Sequence, residues 1–147
     1  MRYRIFLDTN ILLSGIFFEG NESKILDLVE ADLITCEDVI EELYKVVQKK
    51  LKYLKDRTLE IAMLEVNRAI SDITVLKRAS YRRLLPDAER LITHKKDVPI
   101  LAAVLSASPD YFLTGDAHFS AEDVKEAVMV MTAKEFLNSM KKGRVRG

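Results

Sequence analysis

The chain has 147 residues, of which 48% are hydrophobic and 31% charged, a composition that argues against intrinsic disorder and fits one buried core. No apolar run approaches the roughly 20 residues of a membrane-spanning helix, and the lone Cys36 excludes an internal disulfide. The formal net charge is zero, so no global basic field indicates nucleic-acid binding. We expect a single domain (residues 1–147) in the cytoplasm, with no membrane partner.

Short β-prone runs alternate with segments of helical periodicity along the whole chain. In chain order we predict strand 4–7, helix 11–18, a helix capped by Asn21, strand 33–34, a helix opened by a Thr35–Asp38 capping box, helix 58–71 and strand 73–76. These are followed by helices 87–94 and 98–106, strands 111–114 and 128–131, and a final helix opened by a Thr132–Glu135 capping box. Helix 98–106 is apolar on nearly every side and should be buried. The alternation predicts an α/β fold whose parallel sheet is covered on both faces.

Two aspartates directly follow predicted strands. Asp8 comes after the first strand, and Asp116 comes after the fourth strand and a Thr-Gly turn. In an open parallel sheet, ligands bind outside the carboxyl ends of the strands, near a reversal of strand order. We therefore expect both side chains at the same edge of the sheet, facing one crevice.

Two further carboxylates are candidates for this crevice. Asp97 lies two residues before Pro99 and so near a helix start, where backbone amides and the helix dipole favour an ionised carboxylate. On the helix after Asp38, Glu42 lies roughly 100° from the centre of the apolar stripe, at the border of the buried face, whereas Glu41 lies roughly 160° away. Glu41 should therefore point into solvent, and Glu42 can face the crevice.

Four converging carboxylates repel one another unless cations lie between them. Oxygen ligands suit Mg²⁺ or Mn²⁺, so the pattern predicts one or two such ions. A zinc site is not expected, because His94, His118 and Cys36 show no ligand spacing. We interpret His94 as a helix-end residue and Cys36 as a small packing residue.

Basic residues gather in clusters despite the zero net charge. These are Lys49, Lys50, Lys52, Lys55 and Arg57; Lys77, Arg78, Arg82 and Arg83; His94, Lys95 and Lys96; and the tail from Lys141 to Arg146. Such clusters around an acidic centre would attract phosphates to a nuclease. The alternative is that each is an ordinary solvated helix face.

Several stretches together resemble the PIN-domain nucleases. They are Asp8-Thr9-Asn10 after a strand, Glu42-Leu43 on a helix, residues 97–103 (DVPILAA) and residues 111–116 (YFLTGD). The match covers nearly the whole chain in the right order. The resemblance implies a three-layer α/β/α sandwich with a central, mostly parallel sheet of about five strands. It also implies Mg²⁺- or Mn²⁺-dependent RNA cleavage, which in many prokaryotic members is the toxin half of a toxin–antitoxin pair.

The resemblance also assigns roles to residues. The acidic positions of the family fall on Asp8, Glu42, Asp97 and Asp116, and its polar supporting positions fall on Asn10 and Thr114. Asn10 departs from the serine common in small toxins, and Ala117-His118 stand where a basic residue is frequent. An antitoxin partner and a homodimer are further expectations from the family. The charged, apolar-striped helices between Glu42 and Ser71 are one candidate for the dimer interface, whose place the sequence does not define.

Three other functions share parts of this acidic α/β pattern. A phosphatase of the haloacid dehalogenase type needs a second aspartate where this chain has Asn10, and a phosphoacceptor receiver domain needs an acidic pair and a late lysine that are not found. A catalytically inactive PIN-like protein that binds RNA or serves as a scaffold stays open. In the nuclease hypothesis, Asp8, Asp97 and Asp116 hold metal, and Glu42 either binds it through water or orients the attacking water.

Overall fold

The central element of the fold is a five-stranded parallel sheet. The computed structural model describes residues 2–54 and 56–146, with side chains up to residue 142. The strands are β1 (Tyr3–Leu7), β2 (Ala31–Cys36), β3 (Thr74–Leu76), β4 (Tyr111–Leu113) and β5 (Val130–Met131). They pair in the order β3-β2-β1-β4-β5, and every pairing is parallel. The predicted parallel sheet is confirmed.

Helices flank this sheet and complete the predicted three-layer α/β/α sandwich. They are α1 (Thr9–Phe17), α2 (Asn21–Leu26), α3 (Glu37–Lys49), α4 (Leu59–Ile70), α5 (Arg78–Tyr81), α6 (Leu85–Glu89), α7 (Val98–Ala107), α8 (Glu122–Ala127) and α9 (Ala133–Arg146). Single 3₁₀ turns cover Leu51–Tyr53, Arg82–Leu84, Lys95–Asp97 and Ala117–Ser120. Over the described residues, no helix is long and apolar enough to cross a membrane.

One hydrophobic core joins the sheet to the helices around it, with buried side chains from α1, α2, α3, α4, α7 and α9. Phe6 and Phe112 are fully buried on adjacent strands, and their rings meet edge to face with centroids 5.6 Å apart. The ring of Phe119 packs on Phe112 in the same manner, at 4.9 Å. As predicted, α7 is buried on nearly all sides. Each large side chain buried in this way contributes roughly 1.5–3 kcal/mol of hydrophobic stabilisation.

Two predicted helix caps are wrong. Gly20, not Asn21, precedes α2, and its amide donates to the Ser23 hydroxyl. Thr35 belongs to β2, which is longer than predicted, and its hydroxyl donates to the Leu7 carbonyl at 2.9 Å. The N-cap position of α3 is Cys36 instead, so this helix begins without a side-chain cap.

Other helix starts agree with prediction. The Thr132–Glu135 capping box is present with both reciprocal bonds, at 3.0 and 3.1 Å. The Thr58 hydroxyl caps α4 by accepting from the Ile61 amide.

The predicted helix 87–94 is wrong in its limits, since α6 covers Leu85–Glu89 with a proline in its first turn. Helices α5 and α8 were not predicted; both are short, with too few turns to show a periodic apolar stripe.

The strand order reverses between β1 and β4. From β1 the chain builds outward through β2 and β3, then returns to place β4 on the other side of β1. The last residues of these neighbours, Leu7 and Leu113, are register partners. Residues that follow them therefore emerge side by side, at the place where an open α/β sheet forms its ligand crevice.

Candidate active site

Asp8 lies at the junction between β1 and α1. Its amide donates to the Leu113 carbonyl of β4 at 3.1 Å, and one carboxylate oxygen, Oδ1, accepts from the Thr9 amide at 2.8 Å. The residue is only 4% exposed. Asp8 therefore caps α1 and is held at the predicted edge of the sheet, with little freedom to move.

The Thr114 hydroxyl links Asp8 to Asp116. It donates to Asp8 Oδ2 at 2.5 Å and accepts from the Asp116 amide at 3.0 Å. The half-buried Asn10 joins the same two segments from the other side, since its Oδ1 accepts from the Gly115 amide at 3.0 Å. Both predicted supporting residues thus contact the loops that carry the predicted acidic residues; their part in function stays a prediction.

Asp97 and Asp116 are connected through His118. Asp97 ends a 3₁₀ turn directly before α7 and is 7% exposed. Its Oδ2 lies 3.0 Å from the Nδ1 of His118, and Asp116 Oδ1 lies 3.1 Å from the same nitrogen. Asp116 Oδ1 also accepts from the His118 amide at 2.9 Å. Three of the four predicted aspartate and glutamate residues, Asp8, Asp97 and Asp116, are therefore joined by one polar network.

The fourth predicted residue, Glu42, lies on α3, which starts at the same edge of the sheet because β2 ends at Cys36. The residue is exposed, and so lies further into solvent than the border position that helix geometry predicted. Its charge nonetheless acts on Asp8 and raises the pKa of that carboxyl. The neighbouring Glu41 pairs with Arg78 and Lys45, in agreement with its predicted solvent-facing position.

Burial makes the two innermost carboxylates hard to ionise. It raises the pKa of Asp8 to about 6, with smaller upward contributions from the charges of Glu42 and Asp116, although bonds from Thr114 and Thr9 lower it. Burial also raises the pKa of Asp97, followed by the charge of Asp116. A bound cation would favour the charged form of both groups.

The donor chemistry of this edge fits a hard divalent cation. Two buried carboxylates, Asp8 and Asp97, are accompanied by the more accessible carboxylates of Asp116 and Glu42. Mg²⁺ and Mn²⁺ prefer oxygen ligands and retain some water, which the exposed side of such a group admits. The mutual repulsion that raises the pKa of Asp8 would be neutralised by such an ion.

The two histidines were not predicted to belong here. His94 and His118 stack with ring centroids 4.0 Å apart, and the Nδ1 of each lies within 3.2 Å of Asp97 Oδ2. The interpretation that they lack ligand spacing is therefore wrong for this pair. Their distance in sequence concealed the pairing, but His94 lies three residues before Asp97 and His118 two residues after Asp116, which was a usable signal.

Cys36 takes no part in this network. It is fully buried as a free thiol, and burial raises its pKa to about 11. A thiol in such surroundings is unreactive. The interpretation of Cys36 as a packing residue is in agreement with this position.

The Thr114 hydroxyl should matter for stability, unlike that of Thr9. We expect Thr114→Val to lower the free energy of unfolding by about 1–3 kcal/mol, because the Asp8 carboxyl and the Asp116 amide lose a buried partner. The buried Thr9 hydroxyl has no hydrogen-bond partner among the described residues. Thr9→Val should therefore leave the free energy of unfolding unchanged or raise it. Urea denaturation of both variants tests this, and equal losses would contradict it.

Comparison with known proteins agrees with this architecture. Residues 6–138 match the family model described as PIN domain. VapBC2 from Rickettsia felis, solved bound to a DNA fragment from its promoter, has a chain with TM-score 0.61 and 16% identity, covering 87% of this chain and 98% of that one. PAE2754 from Pyrobaculum aerophilum gives TM-score 0.59 and 12% identity, covering 95% of this chain and 90% of its own. No curated protein matches. Since the family model spans most of the chain, this protein belongs to the PIN domain family.

Proposed function

We propose that this protein is an endoribonuclease that requires Mg²⁺ or Mn²⁺. The observation that carries the proposal is the network in which the Thr114 hydroxyl joins buried Asp8 to Asp116, while His118 joins Asp116 to buried Asp97. Carboxylates from distant parts of the chain thus share one sheet edge inside a fold whose family is nucleolytic. This arrangement suits phosphodiester hydrolysis assisted by a divalent cation.

Each residue has a proposed task. Asp8, Asp97 and Asp116 would hold one or two ions, which when bound would lower the pKa of a water and neutralise charge on the phosphate. Glu42 is exposed on α3, so water has access to its carboxylate, and it would orient the attacking water or contact the ion through water. Thr114 fixes the direction of the Asp8 carboxylate, and Asn10 holds the loop that follows β4.

The RNA backbone would approach over Lys95 and Lys96. Both are exposed and directly precede Asp97, so they can contact phosphates beside the carboxylates. Arg78 is a weaker candidate, because its guanidinium is already engaged by Asp38 and Glu41. We therefore assign substrate binding to the basic group at residues 94–96.

Metal dependence gives the direct test. Labelled single-stranded RNA should be cleaved by the purified protein with Mn²⁺ or Mg²⁺ and left intact with EDTA. Cleavage should return when excess Mn²⁺ is restored, since the carboxylates themselves are unchanged by chelation. RNA that is bound but never cut under any of these conditions would instead support the inactive RNA-binding or scaffold alternative.

We also propose a cytoplasmic toxin role with an antitoxin partner, supported by the structural likeness to a chain of VapBC2.

We propose a homodimer as well. On α4 and the preceding turn, Tyr53, Leu59, Ile61 and Leu64 are all exposed and available for protein contact. At about 100° per residue Ile61 and Leu64 share one face of α4, and neighbouring exposed apolar side chains are typical of interaction surfaces. We assign this surface to the expected homodimer, and a monomer in sedimentation at micromolar concentration would refute that assignment.

A further inference from the structure

We propose that His94, Asp97 and His118 form a binding site for Zn²⁺ or a similar transition metal. It shares Asp97 with the proposed Mg²⁺ site and differs from that site by its two histidine ligands. The potential ligand atoms of these three side chains all lie within 4.8 Å of one another. Asp97 ends the turn Lys95–Asp97, His94 directly precedes that turn, and His118 lies in the turn Ala117–Ser120. The fold brings these two turns together at the crevice.

Two of the three spacings between these atoms are close to those around a tetrahedral metal. Zinc binds imidazole nitrogen and carboxylate oxygen at about 2.0–2.1 Å, which places neighbouring tetrahedral ligands roughly 3.3 Å apart. Asp97 Oδ2 lies 3.2 Å from His94 Nδ1 and 3.0 Å from His118 Nδ1. Two edges of the tetrahedron are therefore nearly formed without any metal present.

Ligand type separates this site from the carboxylate site. Two imidazoles and one carboxylate are a ligand set for zinc, cobalt or nickel, whereas Mg²⁺ binds oxygen almost exclusively. Water or Asp116 Oδ1, which is 3.1 Å from His118 Nδ1, can supply a fourth ligand. The same crevice would thus discriminate between hard and borderline cations according to which side chains coordinate them.

Binding requires the stacked rings to separate. The imidazoles are nearly parallel, at 18°, so their in-plane lone pairs do not meet at one point. One ring must tilt, and both can do so because the side chains of His94 and His118 are 47% and 50% exposed, while that of Asp97 is only 9% exposed. The fixed carboxylate acts as the anchor, and the histidines close onto the metal.

Sharing Asp97 has a functional consequence, which rests on the proposed nuclease activity. A zinc ion held by the histidines would take the Asp97 carboxylate from the Mg²⁺ site. Zinc should then inhibit Mg²⁺-dependent RNA cleavage in wild-type protein and inhibit much less when both histidines are replaced.

Cobalt titration tests the site without any reliance on activity. EDTA-treated, dialysed protein titrated with Co²⁺ should develop the visible absorption of four-coordinate cobalt at one equivalent, and Zn²⁺ should abolish it whereas millimolar Mg²⁺ should not. The His94→Gln, His118→Gln double variant should bind Co²⁺ at least about 100-fold more weakly, since even outer-shell partners of a metal ligand account for roughly 10–100-fold. Histidine ring protons in NMR spectra of the wild type should shift during the same titration.

Asp8→Asn is the matched control, because it removes a ligand of the proposed Mg²⁺ site and leaves all three zinc ligands in place. It should keep the cobalt spectrum. Equal cobalt affinity in the wild type and the folded double variant, or no cobalt absorption in the wild type, would overturn the proposal. If RNA is never cleaved, the proposed nuclease function fails while the cobalt titration still decides this inference.

Discussion

Replacing Asp8 with asparagine should abolish RNA cleavage and at the same time stabilise the metal-free protein. The two effects have one cause, since Asp8 is a carboxylate held in a buried position where charge is unfavourable. Asparagine has the same shape and can still accept from the Thr9 amide. It carries no charge, however, and so relieves the cost of burial while it removes a ligand of the proposed metal site.

The sign of the stability change follows from the pKa of Asp8, which burial raises from 3.8 to about 6. Between these values the folded protein holds a proton that the unfolded chain has released, so the free energy of unfolding falls as pH rises. Above the pKa of Asp8 in the folded protein, its ionisation lowers the free energy of unfolding by the full amount of about 3 kcal/mol. Near neutral pH, Asp8→Asn should be more stable than the wild type by up to that amount. This advantage should vanish below the pKa of Asp8 in the unfolded chain.

Urea denaturation in EDTA, compared between mildly acidic and neutral pH, measures this difference. Single-turnover cleavage with saturating Mn²⁺ should show a loss of at least about 1,000-fold, comparable with the removal of a major electrostatic group from an active site. Thermal stabilisation by Mn²⁺ should also be reduced in the variant. Cleavage at the wild-type rate would remove Asp8 from the proposed site, and a variant less stable at neutral pH would contradict the electrostatic argument.

Replacing Glu42 with glutamine should reduce cleavage by about 100- to 1,000-fold, within the range for loss of a group that directs proton transfer or water attack. Glu42 faces water on α3, and its charge acts on Asp8, so it is placed to act between solvent and the buried carboxylates. Because repulsion from Glu42 raises the pKa of Asp8, the variant should also show a lower pKa for Asp8, measurable by carboxyl NMR.

Glu41→Gln provides the matched control, with the same chemical change one residue away on the same helix. Glu41 contacts Arg78 and Lys45 at the surface, and exposed ion pairs of this kind contribute little. We expect cleavage within about threefold of wild type, since surface changes are usually near neutral. A loss in Glu41→Gln as large as that in Glu42→Gln would refute the assignment of roles on this helix.

The sheet and the meeting of Asp8 with Asp116 could be predicted because both follow from strand periodicity and chain direction. A residue that directly follows a parallel strand must emerge at the carboxyl edge, whatever the details of packing. The pairing of β1 with β4 then made these positions neighbours. Asp97 was also accessible to prediction, since Pro99 marks the start of α7.

Other features depend on contacts that no local pattern encodes. Thr35 has the spacing of a capping residue, but a tertiary bond to the Leu7 carbonyl keeps it in β2. The stacking of His94 and His118 depends on how two short 3₁₀ turns face each other across the crevice. The exposure of Glu42 likewise depends on how α3 is rotated against its neighbours, which an apolar stripe defines only approximately.

The hydrogen bond between Thr114 and Asp8 spans 106 positions of the chain. During synthesis, a nascent polypeptide that has not yet extruded β4 cannot assemble the pocket, although Asp8, Glu42 and Asp97 have already been translated. Such distant closure is slow relative to local helix formation. The Asp8 carboxylate therefore gains its Thr114 partner only after β4 has been made and has paired with β1.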